Sequence, residues 1–196
     1  MSVLSSEPDA HPGPLTPSAW LGAVFRHLAH AVANPEDPLR TPALVTVGAD
    51  GAPAARHVVL REVVAVNAKL TVWTDARSPK CREIAAQPRV AWLFWDPGRR
   101  LQLRLCGRAE VLTEGARVQG TWAGISSTRR REYLANVAPG ALLAAAEGDR
   151  PAAPAFAMID SWLDAADLLQ LDRRGHRRAR LQRAPDGGWQ GDWVEP

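Results

Sequence analysis

Seven side chains between residues 55 and 108 have the types and the spacing to grip an anion: Arg56, Arg61, Thr74, Ser78, Lys80, Gln102 and Arg104. They sit at the edges of three apolar runs, ARHVVLRE, LTVWTDARSPKCREIAAQPRVAWLFW and RRLQLRLCGRAEVL. A phosphate monoester needs several hydrogen-bond donors, a fixed positive charge and, ideally, the free N–H groups and positive dipole end of a helix. The Ser78-Pro79 pair supplies a helix start, an N-cap residue followed by proline at the first helical position, with Lys80 directly after it. The chain has 22 arginines and two lysines, Lys69 and Lys80, so a lysine at this point departs from its own habit. The chemistry these residues suit is capture of a phosphorylated ligand, set against the plainer reading of a capped helix with a solvated lysine.

The surrounding pattern says what would hold them. From Pro42 the apolar period is two: ALVTVG, a turn at Asp50-Gly51, and APAARHVVL form a hairpin. A second strand pair turns near Asn67, Val90 to Trp95 is a strand of almost continuous apolar character, and Pro97-Gly98 leads into Arg100 to Leu112. The spacing places Cys81, Ile84 and Ala85 along one face of the short helix after Ser78. About six strands with one interposed helix predict a barrel and not an alternating α/β fold.

The order RHVVLR (Arg56 to Arg61), VWTD (Val72 to Asp75), RSPKCREIAAQPRVAWLFW (Arg77 to Trp95) and QLRLCGRAEVL (Gln102 to Leu112) resembles the pyridoxamine 5′-phosphate oxidase family of FMN-binding split β-barrels, over roughly residues 40 to 112. The resemblance implies an α+β fold, mainly β with peripheral helices around a six-stranded antiparallel split barrel, and a homodimer with FMN at its interface. It implies a phosphate-binding Arg56 with flavin contacts from Val58, Val59 and Leu60, and it puts Arg61, where the family usually has Lys, against both flavin and substrate as the catalytic candidate. Trp73 and Thr74 take the place of an aromatic-Thr pair. Ser78, Pro79 and Lys80 take that of a Ser-Arg-Lys phosphate clamp without its arginine, for which Arg77 is the substitute. Gln102 would bond the flavin ring, and Arg180 would reach the cofactor from the partner subunit. Leu169 stands at the family's late Trp, and His176 and Arg178 replace its pyridoxal phosphate contacts in altered order, which weakens the case for the usual substrate more than that for the flavin.

Composition limits the alternatives. A chain of 196 residues, 46% hydrophobic with a net charge of +3, fits one domain with its own core, here residues 18–196 after a Pro- and Ser-rich tail over 1–17. No run is long or apolar enough for a membrane span, and the eight Trp do not interleave with arginine clusters as a nucleic-acid surface would require. Cys81 and Cys106 have no His at metal-ligand spacing, so no metal site is expected, and two lone thiols suit the cytoplasm. Ser18 is the expected cap of a helix bearing Trp20, Leu21, Val24, Leu28 and Val32, with His27 and His30 on its surface. After Thr113 the chain turns helical through Arg129, Arg130, Arg131 and Tyr133, with a second Ala-rich helix and a Pro-punctuated loop over 141–154, and four short strands close it. The expected function is an FMN-dependent oxidoreductase acting on a small anionic substrate, the alternative a flavin-binding sensor or carrier without turnover.

Overall fold

The structure, a computed structural model, describes residues 15–134, 137–140 and 154–196. Most of the expected tail and the Ala-rich segment over 141–153 lie outside the described residues. The first helix, α1 (Pro17–Ala33), is capped by Thr16, whose hydroxyl accepts from Ala19 N–H, and not by Ser18. Pro17, with its fixed φ and no N–H, takes the first helical position, so the cap lies two residues earlier than expected. Ser18 instead donates to the Trp189 carbonyl at 2.7 Å and ties the helix to the last strand. Trp20, Leu21, Val24, Phe25, Leu28 and Ala31 recur at helical spacing and are all buried.

Six strands then follow as the sequence predicts: β1 (Ala43–Val47), β2 (Pro53–His57), β3 (Leu60–Val64), β4 (Lys69–Asp75), β5 (Arg89–Asp96) and β6 (Leu101–Leu112). The β1–β2 turn uses Gly51 at φ 81°, and the β3–β4 turn puts Ala68 at φ 49°. The rest of the chain adds three strands, not four: β7 (Phe156–Gln170), β8 (Arg177–Arg183) and β9 (Trp189–Val194). FAMIDSWL and most of ADLLQLD form one fifteen-residue strand, because β6 pairs with it from Met158 to Gln170 while its other edge is shared, first by β4 and then by β8. Where that exchange occurs, a bulge between Cys106 and Gly107 shifts the register. A Cβ on Gly107 would collide with the Trp162 carbonyl oxygen, so the close crossing of β6 and β7 requires glycine there.

The antiparallel sheet therefore has nine strands where the sequence predicts six for the barrel, in the order β2-β1-β5-β6-β7-β4-β3 with β8 and β9 added beside β7. Its path has β2 and β3 at opposite ends, yet only Val58 and Val59 separate them in the chain. The sheet must curl until those ends meet, with no ladder between them, which is what splits the barrel. Trp92, Phe94, Leu103, Leu105 and Leu168 fill the enclosed side together with one face of α1. The helices α2 (Pro79–Ala86), α3 (Ala116–Gly124) and α4 (Ser127–Arg130) lie at the periphery. Gly115, at φ 96°, precedes α3, so that helix starts later than Thr113.

Candidate functional site

The junction between β4 and α2 gathers the hydroxyls and the lysine picked out in the sequence. Thr74 is the penultimate residue of β4 and Ser78 the N-cap of α2, and both are buried. Their oxygens lie 3.3 Å apart, and Lys80 Nζ donates to Ser78 Oγ at 3.1 Å. Ser78 takes the cap position with its backbone alone; its side chain turns to Thr74, Lys80 and Cys81. The face of α2 that packs inward carries Cys81 and Ile84, while Ala85, expected beside them, is exposed because its direction on the helix falls between the core and solvent sides. Burial raises the Cys81 thiol above its ordinary value, which makes it a packing residue and not a nucleophile.

Burial, and then the like charge of Arg56, lowers Lys80 below the ordinary lysine range, although the thiol of Cys81 and the carboxylates of Asp75 and Glu83 pull the other way. Among the described residues no carboxylate is close enough to ion-pair with it. A half-buried cation bonded only to a buried hydroxyl is electrostatically incomplete, and an arriving anion would complete it.

Two arginines expected nearby have partners already. Arg77 is bound in bidentate fashion by Asp75, with its Nη2 at 2.7 Å and its Nε at 3.0 Å from the two carboxylate oxygens, and that hydrogen bonding raises its affinity for its proton. Arg56, on β2, donates from Nη2 to Glu83 Oε2 of α2 at 2.8 Å and from Nη1 to Thr46 Oγ1 of β1. Thr46 in turn donates to the same Glu83 oxygen at 2.5 Å. Val58 and Leu60 are buried in the seam between β2 and β3, and Val59 is half-buried between them.

Arg61 lies on β3 with its guanidinium over the ring of Trp73, 4.7 Å from the centroid. Its Nε is buried and has no hydrogen-bond partner, and burial lowers the guanidinium below its ordinary value. Beside it is an aromatic cluster that sequence reasoning did not anticipate. Phe156 meets Tyr133 edge-on at 5.2 Å and Trp73 at 6.0 Å, and Trp122 of α3 lies 5.5 Å from Phe156. Tyr133, which the sequence places in a solvated arginine-rich segment, is buried there, and burial raises its phenol above the ordinary range. The orphaned Nε–H beside this apolar wall is a donor without an acceptor, the second feature that an anionic ligand would satisfy.

Gln102 and Arg180 are elsewhere. The ladder aligns Trp95, Gln102, Leu169 and Arg178 across β5, β6, β7 and β8, and in the next row Leu93, Arg104, Asp167 and Arg180. Asp167 is ringed by three arginines, with its Oδ2 2.8 Å from Arg104, 2.8 Å from Arg178 and 3.3 Å from Arg180. The bond to Arg178, joined by the charges of Arg104 and Arg180, holds this carboxyl below its usual range against the opposing effect of burial. Leu93 and Trp95 are among the exposed large apolar side chains of this face. His176 is exposed and accepts a long bond from Asp172 N–H. No hydrogen bond or ion pair among the described residues links this face to the β4–α2 junction, so one chain presents the predicted contacts as two separate groups.

Comparison with known proteins places the chain in a consistent neighbourhood. Residues 18–113 match the family model described as pyridoxamine 5′-phosphate oxidase, FMN-binding domain. A pyridoxine/pyridoxamine 5′-phosphate oxidase of Ralstonia nicotianae is 30% identical over 166 residues, 74% of this chain and 74% of that protein. One from Thermosynechococcus vestitus is 38% identical over 102 residues, 48% of this chain and 47% of its own length. Against several such relatives the matched stretch spans about half their length or less. The crystal structure of a pyridoxamine 5′-phosphate oxidase-related, FMN binding protein from Nostoc punctiforme PCC 73102 superposes with a TM-score of 0.71 at 26% identity, over 90% of this chain and 97% of that one. PhzG from Burkholderia lata 383, crystallised with tetrahydrophenazine-1-carboxylic acid, superposes over the whole of both chains with a TM-score of 0.69 at 23% identity, a likeness of fold.

Proposed function

Since the chain belongs to the family of pyridoxamine 5′-phosphate oxidase FMN-binding domains, we propose that it binds FMN and works as an FMN-dependent oxidase or reductase on a small anionic substrate. The observation that carries this reading is Lys80, a partly desolvated cation at the mouth of α2 with a buried serine, but no carboxylate, for a partner. Ser78, Thr74 and Lys80 would hold the cofactor's phosphate, with Arg56 reaching it from β2 and Arg77 lending charge while it stays bound to Asp75. The backbone from Val58 to Leu60 would line the ring's path. When bound, FMN supplies the uptake of an electron pair and a proton from the substrate. Arg61 gives a fixed positive charge beside it, which favours arrival of negative charge on the ring and orients an anionic substrate. Its fork can meet a carboxylate or phosphate with two bonds, where the family's usual lysine offers a point charge.

We place the homodimer contact on the face that carries Leu93, Trp95, Gln102 and Arg180. Two exposed apolar side chains beside satisfied charge pairs suit a protein interface, and only a second copy would carry Gln102 and Arg180 to a site that their own chain holds apart. Two free thiols, Cys81 and Cys106, fit a reducing cytoplasm. Titration of the apoprotein with FMN and with riboflavin tests the cofactor, and anaerobic bleaching of the bound flavin by pyridoxamine 5′-phosphate or by NAD(P)H tests turnover. Bound flavin that neither reagent bleaches favours a sensor or carrier.

A further inference from the structure

We propose that Glu83 is a positioning residue that competes with the cofactor's phosphate for Arg56 and thereby sets how tightly FMN is held. The inference rests on the FMN reading above and adds a residue to it. One oxygen of Glu83 takes both the Arg56 Nη2 bond at 2.8 Å and the Thr46 hydroxyl at 2.5 Å, while Arg56 Nη1 is turned to Thr46 and, at 3.5 Å, to the Leu44 carbonyl. The two terminal nitrogens of the guanidinium are thus engaged before any ligand arrives. The pair is partly buried, with 25% of the Arg56 side chain and 15% of that of Glu83 exposed, so water screens it less than a surface pair.

Glu83 lies three residues after Lys80 on α2, and its charge acts on Lys80 along with that of Arg56. With Glu83 ionised, the Arg56, Lys80 and Glu83 side chains together carry one net positive charge; without it they carry two. A dianionic phosphate must therefore share Arg56 with a carboxylate of its own sign or displace it. Glu83 keeps Arg56 folded onto α2 and stabilises it in the empty protein, and the same contact opposes phosphate binding. The consequence is a cofactor that exchanges instead of staying permanently bound.

The test compares wild type with Glu83→Gln, which keeps the side chain's shape and an acceptor for Thr46 and Arg56 but removes the charge. FMN and riboflavin are titrated into both apoproteins at low and moderate salt. The proposal expects FMN to bind about tenfold more tightly to Glu83→Gln, the size of one charge-assisted contact, with a steeper salt dependence and unchanged riboflavin affinity. In Arg56→Met the same Glu83→Gln change should produce a clearly smaller gain. Equal or weaker FMN binding by Glu83→Gln, or equal shifts for FMN and riboflavin, would make Glu83 a brace and overturn the proposal while the FMN reading stands. If wild type and variant both fail to bind FMN, the reading itself falls and the proposal with it. Circular dichroism of each apoprotein confirms that the variants compared are folded.

Discussion

Replacing Lys80 by Met separates binding from folding more cleanly than any other change at the β4–α2 junction. Methionine keeps most of the unbranched stem and the helix propensity while it removes the ammonium. In the free protein the lost interaction is one neutral-acceptor hydrogen bond, Nζ to Ser78 Oγ at 3.1 Å, and its loss is offset because a half-buried charge no longer has to be desolvated. The expected change in stability is therefore within about 0.5 kcal/mol in either direction, like that of an ordinary surface substitution. In the complex the loss is a charge-assisted contact with a phosphate, about 1.5 to 3 kcal/mol. Lys80 is only half-buried, so solvent screening pulls the figure to the lower part of that range. We predict a weakening of FMN binding of about twentyfold. Flavin fluorescence titrations at fixed ionic strength measure it, with riboflavin as the control that should not change. An FMN affinity within twofold of wild type, in a protein that still binds FMN, would show that the phosphate is held elsewhere.

Further outcomes follow from the same geometry. FMN affinity should decline as pH rises through the lowered Lys80 value, earlier than an ordinary lysine would allow, because only the protonated amine attracts the phosphate; in the empty protein the sign is opposite, since deprotonation relieves the burial cost, and parallel binding and melting profiles check both. Arg61→Ala should slow reduction of bound flavin by an anionic donor far more than it weakens FMN, read by stopped-flow bleaching and titration. Asp160, 2% exposed, accepts from Thr71 at 2.6 Å and pairs with Arg117 and Lys69; Asp160→Asn should cost about 3 kcal/mol by urea denaturation. The Asp167 carboxyl, held low chiefly by Arg178, contributes to folding stability above the usual carboxylate range and loses that effect as pH falls through its lowered value, so urea denaturation should show the fold weakening in acid; Trp95→Glu should loosen the proposed dimer at neutral pH, read by sedimentation.

Local chemistry made much of this fold legible. Alternation placed β1 to β6, the Asp50-Gly51 and Pro97-Gly98 turns marked their connections, and Ser78-Pro79 marked the start of α2. What could not be read was set by contacts distant in the chain. β7 looks like two strands because Asp164 and Ala165 interrupt its apolar pattern, and only the ladder with β6, which resumes on both sides of the bulge at Asp164, joins them. Tyr133 reads as part of an arginine-rich helix, yet Phe156, 23 residues on, draws it into a buried cluster. The Arg56–Glu83 pair spans 27 residues and two kinds of element, which no periodicity reveals, although Thr46 at an inward position of β1 was a usable sign of polar company there. Lys80 was visible because its type is rare in this chain.

A crystal structure of the protein with FMN tests the central claim most directly. The account predicts the phosphate within hydrogen-bonding distance of Lys80 Nζ and Ser78 Oγ, with the flavin lying between one subunit's β3 and Gln102 or Arg180 of the other. A phosphate bound away from the β4–α2 junction, with Lys80 still turned only to Ser78, would contradict it.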